Sequence, residues 1–293
     1  MAPAKLVEWF SNADMKDVAT VGGKGASLGE MFQQLSKIGV KVPNGFTLTT
    51  DAFKQFINAE IPDSTWNNVG APEDIEQLRN AAIKCSTLAD ALEVCLRDAD
   101  PEDHLNLNSR ATLARSLVRE TPVPDEIKQV IAQEYGQLCD LYHPGVDVAV
   151  RSSATTEDSA DASFAGQYES YLNVSGDQDI IEKWRRCVAS MFTERAIGYH
   201  LEHGMHPLDS AIAVVVMKMA RSDKACSGVM FTIDPDSGHN GVIHIGSSYG
   251  LGELVVQGVV SPDTFTVWKE GLRLGKFPVV HRTLGSKEQM MIY

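Results

Sequence analysis

The chain has 293 residues, 43% of them hydrophobic and 22% charged, and carries a net charge of −13. This is the composition of an ordinary globular protein with room for two lobes. The acidity excludes a global binder of nucleic acid or anionic membrane, because both need a basic face, so an anionic ligand would require a local positive site. The N-terminus has no apolar core of signal-peptide length, and the apolar run Ala211–Met217 is too short to cross a bilayer, which makes the expected location cytoplasmic. Cys85, Cys95, Cys139, Cys187 and Cys226 form no C-x-x-C pair and read as reduced, mostly buried small side chains.

In chain order, Leu28, Met31, Phe32, Leu35 and Ile38 recur at helical spacing, with Gly39 as the expected stop. "VKVPNGFTLTT" reads as strand, Pro-Asn-Gly turn and strand, and residues 51–59 as a short helix. Residues 60–122 are irregularly helical and charged, an expected insertion with little direct chemistry. "PDEIKQVIAQEYGQLCDLY" predicts a helix: Pro124 opens it, acids fill its first turn, and Ile127, Val130, Ile131, Leu138 and Leu141 share a face. After His143-Pro144-Gly145 the pattern turns to strands in "VDVAVR", "YESYLNV", "SAIAVVVMKMA", "SGVMFTID", "GVIHIGSS" and "TFTVWK", with one helix over about 177–203. The expected class is α+β, with a mainly helical lobe over 1–145 and a sheet-rich lobe over 146–293.

Three stretches have residues suited to chemistry. "VGGKGASLGEM", Val21–Met31, sets Lys24 among glycines at a helix start, where backbone N–H groups and an ammonium attract anions. It is no Walker A loop, since Val18 stands at the first glycine position and Gly25 follows the lysine. A plain glycine turn with a solvated lysine stays open. Arg151 ends a buried strand and needs a partner, either one of Glu157, Asp158 and Asp161 or an external phosphate covered by the small-residue loop "ASFAGQYES". In "SSYGLGELVVQGVVSPD", Glu253 suits Mg²⁺ near phosphates, or is simply a first-turn helix acid. His200, His203 and His206 read as a solvated helix end rather than a metal site.

Taken together and in this order, these motifs resemble the nucleotide-binding domain of the pyruvate/phosphate dikinases, closest to the pyruvate, water dikinase branch. The likeness runs through "VEWFSNADMKDVATVGGKGASLGEM", "GVKVPNGFTLTTDAF", "VAVRSSATTEDSADASFAGQYESYLNV", "VVVMKMARSDKACSGVMFTID", "SSYGLGELVVQGVVSPD" and "RTLGSKEQMMIY". It implies an ATP-grasp-like fold, ATP and Mg²⁺, with Lys24 and Arg151 at the phosphates, Gly166 as the phosphate-loop glycine and Ser170 as a nearby small hydroxyl. It also implies Lys218, Met219 and Ala220 as a backbone hinge for adenine, and Glu253 at the metal. Met217 departs from the glutamine usual in the family. The later "E-W-A"-like and "Q-A-R-P"-like strands have no match here, nor do the "T-C-H-A"-type phosphohistidine domain and the phosphoenolpyruvate/pyruvate barrel, which would be partner domains of a complete enzyme. The resemblance therefore implies an incomplete ATP-binding domain without a catalytic residue of its own. Antibiotic (rifampin) phosphotransferases, which share the domain, and a non-catalytic nucleotide-binding module are the alternatives.

Overall fold

The structure is a computed structural model describing residues 4–70, 72–155, 158–159, 162–163 and 169–293, with residues 73, 158, 159, 162 and 163 described by backbone only. It forms two compact units, Met1–Met219 and Ala220–Tyr293. Among the described residues no helix is long and apolar enough to cross a membrane.

The elements of the first unit are β1 (Val7–Trp9), α1 (Val18–Leu35), β2 (Gly45–Leu48), α2 (Thr50–Ile57), α3 (Glu76–Ala82), α4 (Leu88–Leu96), α5 (His104–Glu120), α6 (Asp125–Leu141), β3 (Val148–Ala154), β4 (Asp158–Ser159), β5 (Ala162–Ser163), β6 (Ser170–Val174), α7 (Asp177–Ala189), α8 (Glu194–Glu202) and β7 (Ile212–Lys218). Five strands make one antiparallel sheet in the order β1-β2-β7-β3-β6. Side chains alternate across its two faces. Phe46, Leu48, Val148, Val150, Val214 and Val216 enter the main core, where the helices lie; Trp184 of α7 meets Phe56 of α2 there at 5.3 Å between ring centroids. The opposite face holds Thr47, Ala149, Arg151, Ser153, Val215 and Met217, and α1 packs on it. The lobe boundary expected at 145/146 differs from this division. β2 pairs with β7 and β7 with β3, so strands from both sides of residue 145 share one sheet, and the compact units part between Met219 and Ala220.

Three local expectations are corrected. In α1 the buried face is Val21, Gly22, Gly23, Gly25, Ala26 and Gly29, whereas Met31 and Ile38 are exposed. Small side chains let the helix backbone come close to its neighbours: a Cβ on Gly29 would lie 2.3 Å from the Ala13 carbonyl oxygen. "VKV" before the turn is not a strand, and pairing begins at Gly45. The single helix expected over 177–203 is interrupted. α7 ends at Ala189, and Thr193 caps α8 by accepting the Ala196 N–H at 3.2 Å. The stop at Gly39 stands as expected, with φ 87°, and α6 begins directly after Pro124.

The second unit is a four-stranded antiparallel meander of β8 (Cys226–Phe231), β9 (Val242–Tyr249), β10 (Asp263–Trp268) and β11 (Val279–Thr283), with short helices α9 (Glu253–Val256) and α10 (Lys269–Arg273). Its final residues fold back along it. Leu251 N–H donates to Met291 O at 2.9 Å, the Tyr293 hydroxyl donates to Ala220 O at 3.1 Å, and Asp263 accepts from Gly285 N–H at 2.9 Å and from the Lys287 ammonium. These last two donors hold the Asp263 carboxyl below its ordinary value, Lys287 first.

Candidate functional site

Strand β3 brings the first two candidates into register. Arg151 lies opposite Val215 on one side and Ser170 on the other, and Ser153 lies two residues on, on the same sheet face. Arg151 is half-buried. Glu157 and Asp161 lie outside the described residues, as does the side chain of Asp158. Among the described side chains no carboxylate pairs with Arg151. Gly166, the expected phosphate-loop glycine, also lies outside the described residues.

The start of α1, which carries Lys24, meets the same face at a break in the helix. Gly22 has φ 71° and ψ 170°, which splits α1 into an initial turn and a main helix from Gly23 onward. In an unbroken α-helix the Gly25 N–H would donate to the Val21 carbonyl four residues back. Here the hydroxyl of Ser153 stands between them, accepting from Gly25 N–H at 3.0 Å and donating to Val21 O at 2.9 Å. Gly22 is pressed against the strand: a Cβ there would lie 2.0 Å from Ser153 O. The glycines at 22 and 25 thus serve close packing onto the sheet, Gly25 beside Val21 and Thr47, rather than exposing the loop. Lys24 is half-buried and lies within electrostatic reach of Cys187 in α7. Burial first, then the Glu169 carboxylate, push the Cys187 thiol up, and the Lys24 ammonium opposes them. Residue-by-residue reading missed Ser153, although a hydroxyl in a buried strand two residues from a candidate arginine was a visible signal.

The expected hinge lies at the other end of the same sheet. Lys218 pairs with Val148 and Val215 with Arg151, so the hinge is three residues, about 10 Å, along the strand from Arg151. Met217 shares the face of Arg151, between Gly45 and Ala149. Several hinge groups already have partners. Lys218 N–H donates to Asn44 O at 3.0 Å, Met219 N–H to Asp147 O at 2.9 Å, and Lys218 Nζ to Met219 O at 3.2 Å while lying 5.1 Å from the Tyr142 ring centroid. Ala220 O accepts from Ser222 N–H at 2.8 Å. Ser170 is exposed at the start of β6.

In the second unit, Glu253 is the first residue of α9, after the Gly250–Gly252 turn, and is half-buried. Among the described residues no group of three or more His, Cys, Asp and Glu side chains is arranged to hold a metal ion. One carboxylate suits Mg²⁺ only where phosphates and water supply the other oxygens.

The histidine cluster divides. His203 stacks on Tyr199 at 4.1 Å and His206 caps the next turn through Leu208 N–H, as a helix end should. His200, expected to be solvated, is fully buried: it bridges Ala196 O at 2.7 Å and the Ser210 hydroxyl at 3.0 Å, tying α8 to the chain that enters β7. Burial, foremost, lowers its pKa from 6.5, and the nearby His206 and His203 add to that. The folded value thus lies below the unfolded one. The His200 contribution to stability is fully present above pH 6.5 and declines as pH falls from there to the folded pKa, because only the unfolded chain takes up the proton in that window. His200→Gln should flatten the fall in unfolding free energy below pH 6.5 in urea titrations; an unchanged slope would contradict this assignment.

The sequence matches the family described as "Pyruvate phosphate dikinase, AMP/ATP-binding domain" over residues 18–293. It is 42% identical to a phosphoenolpyruvate synthase of Synechocystis over 98% of this chain and 33% of that protein. It is 41% identical to that of Helicobacter pylori over 99% and 32%, and 41% identical to that of Escherichia coli over 98% and 33%. The chain thus spans about one third of the length of the curated relatives it matches.

Proposed function

Since the chain belongs to the pyruvate phosphate dikinase AMP/ATP-binding domain family, we propose that it is the ATP-grasp-like nucleotide-binding part of a cytoplasmic pyruvate, water dikinase. The complete reaction would convert ATP, pyruvate and water to AMP, phosphoenolpyruvate and phosphate. The observation that carries the proposal is the Ser153 bridge, which sets the start of α1, with Lys24, on the sheet face that bears Arg151. Adenine would sit at the Lys218–Met219 end, and the phosphates would run about 10 Å along β3 and β7 towards Arg151, Lys24 and Ser170. Because the Lys218 and Met219 N–H groups are already donated, and Ala220 O already accepts from Ser222 N–H and the Tyr293 hydroxyl, the base would be read by the Met219 carbonyl, which accepts once from Lys218 Nζ and can accept again.

In phosphoryl transfer the protein mainly positions groups and neutralises charge. Arg151 would fork two N–H donors onto phosphate oxygens, and Lys24 would add a point charge. On the resemblance of its segment, Glu253 of the second unit would offer one carboxylate oxygen to Mg²⁺, a hard cation that takes such ligands. The acceptor of the β-phosphoryl would be a histidine on a partner domain, since a covalent carrier divides the two transfers. None of the eight histidines here lies in a segment resembling the family's phosphohistidine loop. These 293 residues mixed with ATP, Mg²⁺ and pyruvate should therefore form no phosphoenolpyruvate in phosphorus NMR while still binding ATP. Steady, pyruvate-dependent formation of AMP and phosphoenolpyruvate would overturn this division of labour. Neither turnover nor binding would favour a module that handles no nucleotide.

A further inference from the structure

We propose that Ser153 is the positioning residue of the phosphate site: its hydroxyl holds α1 open at Gly22 and fixes the helix start that carries Lys24 against the strand that carries Arg151. The inference rests on the nucleotide-binding reading above.

A side chain inserted into the i→i−4 ladder is a recognised cause of a helix break, and the geometry here is of that kind. Val21 O and Gly25 N–H are the two groups that a continuous helix would join. Ser153 Oγ satisfies both, at 2.9 and 3.0 Å. A serine hydroxyl has one donor and two acceptor positions, so this bridge uses its only proton on Val21. Ser153 is completely buried, so water does not compete for the bridge. The peptide between the two anchors holds Gly22, whose φ of 71° only glycine adopts freely, and Lys24. Ser153 and Arg151 share a strand and a face, so displacing one anchor moves Lys24 relative to Arg151. Ser153 touches no phosphate in this account; it acts through the helix start. Without the hydroxyl, Gly25 N–H can close directly onto Val21 O, which rejoins the two parts of α1 and moves the helix start that carries Lys24 away from its set position.

Ser153→Thr and Ser153→Val test this in the full chain, because they have the same shape and differ only in the hydroxyl. Calorimetric titration with ATP and with adenosine gives the readout. The valine variant should bind ATP at least about tenfold more weakly than the threonine variant, while adenosine binding is equal in both. A purely structural role would weaken both ligands together. Ser153→Ala should follow the valine variant, and its circular dichroism should report whether the fold is kept. Equal ATP affinity of the threonine and valine variants, in a parent that binds ATP, would overturn the role of Ser153 and leave the nucleotide reading standing. A parent that binds no ATP would overturn the nucleotide reading itself.

Discussion

Gly22→Ala should destabilise the first unit by roughly 2–6 kcal/mol. Two costs add. An L-residue at positive φ with ψ near 180° costs about 1–3 kcal/mol, and Gly22 has φ 71° and ψ 170°. Forcing extra volume into a packed site costs about 1–3 kcal/mol more, and the new Cβ would lie 2.0 Å from the Ser153 carbonyl oxygen and 2.4 Å from its hydroxyl. The backbone of β3 must shift, since its carbonyl cannot swing aside like a flexible side chain. Gly39→Ala lacks the second cost. Gly39 has φ 87° but nothing within 4 Å of a built Cβ, so only the conformational cost, about 1–2 kcal/mol, applies. Urea unfolding of both variants checks this. Equal losses at Gly22 and Gly39 would mean that the close contact between α1 and β3 contributes nothing.

Arg151→Ala should weaken ATP binding roughly tenfold to a hundredfold, because a lost charge-assisted contact is worth about 1.5–3 kcal/mol. Adenosine, which has no phosphate, should bind as before. Lys218→Ala should cost less: that ammonium already donates to Met219 O and sits over Tyr142, at the end proposed for the base. Arg151→Lys should recover only part of the affinity, because an ammonium keeps the charge and loses the planar fork. Calorimetry on the full chain gives all four values. Undiminished ATP affinity in folded Arg151→Ala protein would remove Arg151 from the site.

The fold was readable from the sequence where alternation or capping was strong. The "VDVAVR" and "AIAVVVM" runs became neighbouring strands β3 and β7, and Pro124 and Gly39 marked helix ends. It was misread where volume mattered more than hydrophobicity. The stripe of Leu28, Met31, Phe32, Leu35 and Ile38 has the larger apolar surface, yet α1 buries its glycines and Ala26 because only small residues allow its approach to β2, β3 and Ala13. Thr193 within the long helical run was a readable cap, since its hydroxyl takes the N–H three residues on. β11, an edge strand whose five residues are all exposed, has no buried side to impose an alternating pattern. At the candidate site, Lys24 and Arg151 were recognisable as residue types, whereas Ser153 depends on pairing across 132 residues to Val21 and 128 to Gly25. Local spacing can mark Ser153 as a buried hydroxyl beside Arg151, but not its partners in α1. The glycine run at a helix start suggests an anion site, but Gly22, Gly25 and Gly29 face the protein.

The most direct test of the central claim is a crystal structure of this chain with a non-hydrolysable ATP analogue and Mg²⁺. The account predicts the base at the Lys218–Met219 end of the five-stranded sheet and the triphosphate on the α1 face, within hydrogen-bond distance of Arg151 and Lys24. A triphosphate bound elsewhere, with Arg151 and Lys24 making no contact to it, would contradict the account.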